Sequence, residues 1–187
     1  TPLNSLCGGI LTVAMEIIEP MPHILLAGGG HCAQAIADAS APLGWSVSVL
    51  DARPEYASEE LWPDAEECIA AEPGVFLSGE TTESLARFSH ILLLGHDWAI
   101  DEALLIGLLE RNEGRPRIGC IGSKAKWRAF EKSALQAGIS PKTLDTVICP
   151  IGVTIGAESP QEIAIAVLAQ IIAEIKGVDP ASPSWRD

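Results

Sequence analysis

The chain has 187 residues, of which 48% are hydrophobic and 20% charged, and its formal net charge is −13. This size and composition are typical of one globular domain with a single sizeable core. The acidic balance excludes a broad basic surface for nucleic acid or anionic membranes, and the lack of any run of 18 apolar residues predicts no membrane span.

Short apolar runs alternate with stretches of helical periodicity along the chain. The apolar runs predict strands at 23–27, 46–50, 91–94, 117–121 and 146–149, with weaker strands at 68–70 and 75–77. The periodic stretches predict helices at 31–41, 82–88, 101–111, 123–137 and 160–176. The last helix begins with a capping box, formed by Ser159 and Glu162 on either side of Pro160.

This alternation predicts an α/β fold, a Rossmann-like doubly wound sheet that is mostly parallel and has helices on both faces. We expect residues 1–22 to form an N-terminal arm and 23–177 to form the Rossmann-like domain. The Pro- and Ser-rich residues 178–187 are expected to be a loose tail.

The turn after the first strand contains Gly28, Gly29 and Gly30, and with Ala33 it fits the G-x-G-x-x-A pattern. In such turns the amides at the start of the helix face a phosphate, which indicates nucleotide or dinucleotide binding. Asp51 follows the second strand at about the usual offset of 20 residues for a ribose-binding carboxylate. The alternative is a turn whose glycines serve packing alone.

Residues at two helix starts are also candidates. His31 is expected to be neutral there and could donate to a phosphate or stand over a ligand ring, or simply cap the helix. Cys32 is expected to face the sheet as a small apolar residue, although a helix N-terminus could also lower its pKa. Lys124 and Lys126 follow the N-cap Ser123, where an anionic ligand would explain cations better than solvent exposure alone.

His96 and Asp97 follow another predicted strand and could act as a general acid/base pair, while Asp97 or Asp101 could equally cap the next helix. Their spacing does not match a metal site, so none is predicted. The five cysteines are scattered and include no CxxC pair, which favours a reducing cytoplasm.

Six segments of the chain resemble, in order, the xanthine dehydrogenase accessory protein family of the XdhC/CoxI type. They are CGGILTVAMEIIEP, GGGHCAQAIA, DARPE, GHDWAIDEALL, IGCIGSKAK and PIGVTIGAESPQEIAIAVLAQIIAEI. The resemblance spans essentially the whole chain, and its last two segments are the specific ones. It implies that the chain binds the molybdenum cofactor, either as the pyranopterin or in its cytidine dinucleotide form. The bound cofactor would be protected during its sulfuration and then inserted into xanthine-dehydrogenase-like hydroxylases.

The resemblance also implies which residues contact the cofactor. They are Gly28, Gly29, Gly30, His31, Asp51, Arg53, His96, Asp97, Gly122, Ser123, Lys124 and Gly152. Implied partners are a molybdenum hydroxylase client, a cysteine desulfurase and a second copy of the chain. Family members carry a further N-terminal domain, so this chain would be the Rossmann half, with CGG at the join.

The chain departs from the family pattern at Gly29, Cys32, Trp98 and Thr154, and Thr154 stands where an Asp is usual. Trp98 could offer a stacking face to a ring. A non-catalytic insertion factor is therefore expected, with two alternatives. One is an NAD(P)-dependent oxidoreductase, although Tyr56 is the only tyrosine and lies in no YxxxK motif; the other is a regulatory or dimerisation module with a vestigial pocket.

Overall fold

A computed structural model describes residues 12–15, 20–111 and 116–181. The predicted arm at 1–22 and the predicted tail at 178–187 therefore lie partly outside the described residues. Cys7, in the predicted join, lies outside them entirely.

The described residues form six parallel strands in one sheet. They are β1 (His23–Ala27), β2 (Ser46–Asp51), β3 (Cys68–Ala70), β4 (His90–Leu93), β5 (Arg117–Cys120) and β6 (Val147–Ile148). Their spatial order is β3–β2–β1–β4–β5–β6, the order of the Rossmann fold. The order reverses between β1 and β4, so a crevice opens at the carboxyl ends of these two neighbouring strands.

Helices cover both faces of the sheet, which confirms the predicted fold class. They are α1 (His31–Ser40), α2 (Pro73–Gly79), α3 (Thr82–Leu85), α4 (Trp98–Leu109), α5 (Lys124–Gln136), α6 (Pro141–Leu144) and α7 (Pro160–Lys176). Helices α1 and α7 pack together on one face, and α2, α4 and α5 cover the other. Within the described residues, no helix is both long enough and apolar enough to cross a bilayer.

The core explains why the strands are continuous apolar runs. Successive side chains of a strand point to opposite faces, so Ile24 and Leu26 pack under α1 and α7 while Leu25 and Ala27 pack under α4. Because both faces are covered, every position of β4 and every position of β1 after His23 is buried, and no polar alternation is needed.

The predicted strand at 75–77 is wrong, because these residues lie in α2. Pro73 begins this helix, at the position where its fixed φ and its missing N–H are tolerated. Phe76 is buried while Val75 is 65% exposed, so the apolar run has one buried helical face.

The helix predicted at 101–111 begins three residues earlier, since the Asp97 carboxylate accepts a hydrogen bond from the Ala99 amide and caps α4. The short helix α6 was missed, although Ser140 followed by Pro141 is a helix-start signal. Helix α3 is shorter than predicted and ends at Leu85.

Candidate functional site at the strand exits

The three glycines of the turn after β1 have different surroundings. Gly28 has a φ of +108°, and a Cβ there would lie 2.7 Å from the Gly95 amide nitrogen in the turn after β4. A Cβ on Gly29 would overlap the Tyr56 carbonyl oxygen, whereas one on Gly30 would meet nothing within 4 Å. Two glycines therefore serve close backbone packing, and the third faces open space.

Helix α1 begins without a side-chain cap. Gly30 is its N-cap residue, and its first backbone hydrogen bond runs from the Gln34 amide to the Gly30 carbonyl oxygen. By contrast, Asp97 and Ser123 cap α4 and α5 with side-chain oxygens. The first amides of α1 are thus left as donors for another partner, at the end of the helix that favours an anion.

These amides face a cavity of about 370 Å³, here called the α1 cavity. Its lining residues are Gly28, Gly30, His31, Cys32, Gln34, Arg53, Tyr56, Leu94, Gly95, His96 and Pro160. Cys32 is half-buried in this lining rather than packed on the sheet, so its predicted orientation is wrong. Burial raises the pKa of its thiol, which opposes the lowering that a helix N-terminus could cause.

A second cavity, of about 280 Å³, lies at the ends of β1 to β4 and is called the β2–β4 cavity. It is lined by Ala27, Gly28, Leu50, Asp51, Ala52, Arg53, Ala71, Glu72, Pro73, Gly95, His96, Asp97, Ile100, Asp101 and Leu104. Four residues line both cavities: Gly28, Arg53, Gly95 and His96. The two cavities are therefore neighbours that share residues of the glycine turn, of the loop after β2 and of the exit of β4.

Asp51 holds the turn and the loop after β2 together. Its Oδ2 accepts hydrogen bonds from the Gly29 amide and from Arg53 Nη2, both at 2.9 Å. Its Oδ1 accepts from the Arg53 amide at 2.9 Å and from Arg53 Nε at 3.0 Å. Burial alone would raise the pKa of Asp51, but these donors hold it below its ordinary value.

The Arg53 guanidinium also lies over the Tyr56 ring, 3.7 Å from its centroid. Its side chain is 35% exposed, so the cation remains accessible from the α1 cavity. Asp51 and Arg53 are therefore brought together as a pair, with the carboxylate engaged and the guanidinium partly open.

An ion pair that sequence reasoning missed lies beneath the β2–β4 cavity. Asp101 of α4 and Lys126 of α5 are 2% and 4% exposed, and their Oδ2 and Nζ atoms are 2.6 Å apart. The ammonium also donates to the carbonyl oxygens of Gly95, at 3.4 Å, and Ile121, at 3.3 Å. Burial raises the pKa of Asp101, and the ammonium only partly offsets this.

Lys126 is therefore neither a solvated surface lysine nor an open anion ligand, because three acceptors use its three donor hydrogens. A signal in the sequence could have revealed its burial. Lys126, Phe130 and Ala134 lie at spacings of four on α5, and all three are buried on one face.

A third cavity, of about 320 Å³, contains the remaining predicted glycines and is called the β5–β6 cavity. Gly122 and Gly152 line it together with Thr154. Gly152 has a φ of +117°, and its amide donates to Gln170 Oε1 of α7 at 2.6 Å. Ser123 caps α5 and Lys124 is exposed, and neither lines the three cavities. In the described part of the chain, no three His, Cys, Asp or Glu residues are grouped so as to hold a metal ion.

The sheet order, the glycine turn and the cavities at the switch point define a Rossmann-type domain. The family profile described as the XdhC Rossmann domain matches residues 24–171. The chain therefore belongs to the XdhC Rossmann-domain family, which confirms the resemblance seen in the sequence.

Known relatives and a solved structure agree with this assignment. The chain is 34% identical over 166 residues to a probable xanthine dehydrogenase subunit of Bacillus subtilis (strain 168), covering 88% of this chain and 46% of that protein. It is 32% identical over 171 residues to the uncharacterized protein YqeB of Escherichia coli (strain K12), covering 91% of this chain and 30% of that protein. A crystal structure described as a xanthine dehydrogenase from Bacillus halodurans superposes with a TM-score of 0.69 at 29% identity, over 89% of this chain and 46% of that one. The chain thus spans less than half the length of each.

Proposed function

We propose that this chain is the cofactor-binding domain of an accessory protein that binds the molybdenum cofactor, in its cytidine dinucleotide form, for a xanthine-dehydrogenase-like hydroxylase. Family membership and the name of the Bacillus subtilis relative support the link to xanthine dehydrogenase. The choice of ligand rests on the pair of neighbouring cavities. Amide donors and a cation line the α1 cavity, whereas carboxylates predominate in the β2–β4 cavity.

The α1 cavity fits the pyrophosphate of such a ligand. It offers the uncapped amides of α1 and the partly exposed guanidinium of Arg53, and no carboxylate lines it among the described residues. His31 and Gln34 add polar groups to this lining. Amide donors and one accessible cation provide a local anion site on a chain whose net charge is −13.

The β2–β4 cavity fits the base end instead. Four carboxylates line it, from Asp51, Glu72, Asp97 and Asp101, against the single guanidinium of Arg53. Asp51 is already paired with Arg53 and Asp101 with Lys126, so Glu72 and Asp97 are the carboxylates that repel phosphate and can still accept from the amino group of a ring. The ligand is thereby oriented, with the base toward β2 and β3 and its pterin end toward Gly122 and Gly152 at β5 and β6. When bound, the cofactor supplies the molybdenum centre of the client enzyme, and the chain supplies binding and orientation.

The nicotinamide-dependent alternative requires a carboxylate that is free to accept from a ribose. A carboxylate has about four acceptor positions, and Asp51 already receives four hydrogen bonds from Gly29 and Arg53. Binding of a ribose hydroxyl there would have to displace Arg53. This engagement of Asp51 favours the cofactor-binding function over the oxidoreductase.

Equilibrium binding under anaerobic conditions tests the proposal. The full chain is titrated with isolated molybdenum cofactor in the pterin and cytidine dinucleotide forms, and in parallel with NADH and NADPH. We expect the cytidine dinucleotide form to bind more tightly than the pterin form, because it has both a pyrophosphate for the α1 cavity and a base for the β2–β4 cavity. Gly30→Asp should weaken binding at least tenfold by placing a carboxylate at the start of α1. Gly79→Asp, at a glycine that is also without close neighbours, is the matched control.

The outcomes separate the three candidate functions. Absence of binding by either form of the cofactor would refute the proposal. Tight binding of NADH or NADPH in its place would support the oxidoreductase, and binding of neither class would support a regulatory module. The client hydroxylase is part of the proposal, whereas the cysteine desulfurase partner and the homodimer stay predictions.

A further inference from the structure

Two cysteines meet at the β5–β6 edge of the sheet. Cys120 is the last residue of β5 and Cys149 directly follows β6. The strand register pairs Ile118 with Val147 and Gly119 with Ile148, so Cys120 and Cys149 are the next neighbours. Cys120 is 0% exposed in the core under α4 and α5, and half-buried Cys149 packs against the same cluster. The two thiols therefore lie on the same face of adjacent strands.

The two thiols are not equivalent. They interact with each other as free thiols, and this interaction raises the pKa of Cys120 and lowers the pKa of Cys149. Burial raises the pKa of both thiols and the nearby Lys126 ammonium lowers it at both, so the contact between the two thiols is the cause that separates them. The accessible Cys149 thiol can therefore meet an external oxidant first, and the inaccessible Cys120 thiol is protected from direct attack.

We propose that Cys120 and Cys149 are a thiol–disulfide modification site that closes reversibly on oxidation by a low-molecular-weight disulfide such as glutathione disulfide. Cys149, as thiolate, attacks one sulfur of the oxidant and forms a mixed disulfide, and the released thiolate takes up a proton. Cys120 then loses its proton and attacks the Cys149 sulfur, which releases the second thiol. One oxidant is reduced to two thiols, and the protein loses two hydrogens.

The cross-link would connect two segments of the β5–β6 cavity. Cys120 directly precedes Ile121 and Gly122, and Cys149 directly precedes the loop that contains Gly152. A disulfide here would join the two lining segments through the residues that directly precede them. Its formation is tested on the chain without ligand, so the outcome does not depend on the proposed function.

Peptide mapping by mass spectrometry tests the site directly. The native full chain is incubated with glutathione disulfide, its remaining thiols are alkylated, and it is digested without reduction. We expect a Cys120–Cys149 cross-linked peptide that dithiothreitol reverses. Cys120→Ser should trap a glutathionyl adduct on Cys149, because the resolving thiol is absent, and Cys149→Ser should leave Cys120 unmodified. Cys68→Ser, at a half-buried cysteine on β3, is the matched control and should still form the cross-link.

The wild-type map alone can overturn the proposal, so the result does not depend on the variants folding. If Cys120 and Cys149 are alkylated in full after oxidation, the site does not form. Adducts on Cys149 in the wild-type chain that never resolve to the cross-link would likewise refute the role of Cys120.

Discussion

Replacing Lys126 by Met should strongly destabilise the fold. The ammonium donates to Asp101 at 2.6 Å inside a region where the two side chains are 4% and 2% exposed. Met keeps the length of the side chain but leaves the carboxylate buried without a countercharge, which costs about 3–5 kcal/mol for such pairs. For a chain of this size, that corresponds to a melting temperature lower by roughly 6 to 20 °C.

Thermal and urea unfolding at pH 7 measure this loss. Lys132→Met, at an exposed position of the same helix, is the matched control and should change stability by less than about 0.5 kcal/mol. The double variant Asp101→Asn/Lys126→Met removes both charges while an amide oxygen can still accept from the Gly95 amide. It should recover most of the lost stability, because neutral pairs avoid the penalty for a buried charge. A Lys126→Met variant as stable as the control would refute the burial argument.

Two further predictions concern the glycine turn and a buried histidine. Gly29→Ala should destabilise the protein by about 1–3 kcal/mol, because the added Cβ would overlap the Tyr56 carbonyl oxygen. Gly30→Ala, whose Cβ would have no neighbour within 4 Å, should cost under about 1 kcal/mol. Equal losses of stability for the two variants in urea unfolding would contradict this difference. Burial lowers the pKa of His90 below 6.5, despite the Glu174 carboxylate 3.5 Å away. The unfolded chain then binds the proton first, so the His90 contribution is complete above pH 6.5 and declines as the pH falls below it. His90→Gln should flatten this part of the stability profile between pH 7 and 5, and an unchanged slope would show that other groups cause it.

The fold could be predicted because its signals are local. A parallel sheet that is covered on both faces requires uninterrupted apolar strands such as His23–Ala27. The glycine spacing after this strand then located the turn at the switch point. The prediction failed at 75–77 because a short apolar run is compatible with either periodicity, and only the position of Pro73 at a helix start distinguishes them.

The details of the site could not be read in the same way, because they depend on contacts distant in sequence. Asp101 and Lys126 are 25 residues apart and meet only because α4 and α5 pack side by side. The motif marked Asp51 as a ribose ligand, but the motif does not show that Arg53 and Gly29 fill its acceptor positions. Spacing identified the strand exits, whereas side-chain pairing determines which groups remain open to a ligand.

The buried ion pair and the glycine turn converge on Gly95. This residue lines both neighbouring cavities, its amide donates to Asp101 Oδ1 at 3.2 Å, and its carbonyl oxygen accepts from Lys126. A Cβ on Gly28 would meet the same backbone. Because a buried ion pair stabilises a fold less well than apolar packing does, we expect the main contribution of this pair to be the positioning of the loop. The double variant that regains stability should therefore still bind the dinucleotide cofactor more weakly than the wild-type chain, and equal affinity would show that the pair acts on stability alone.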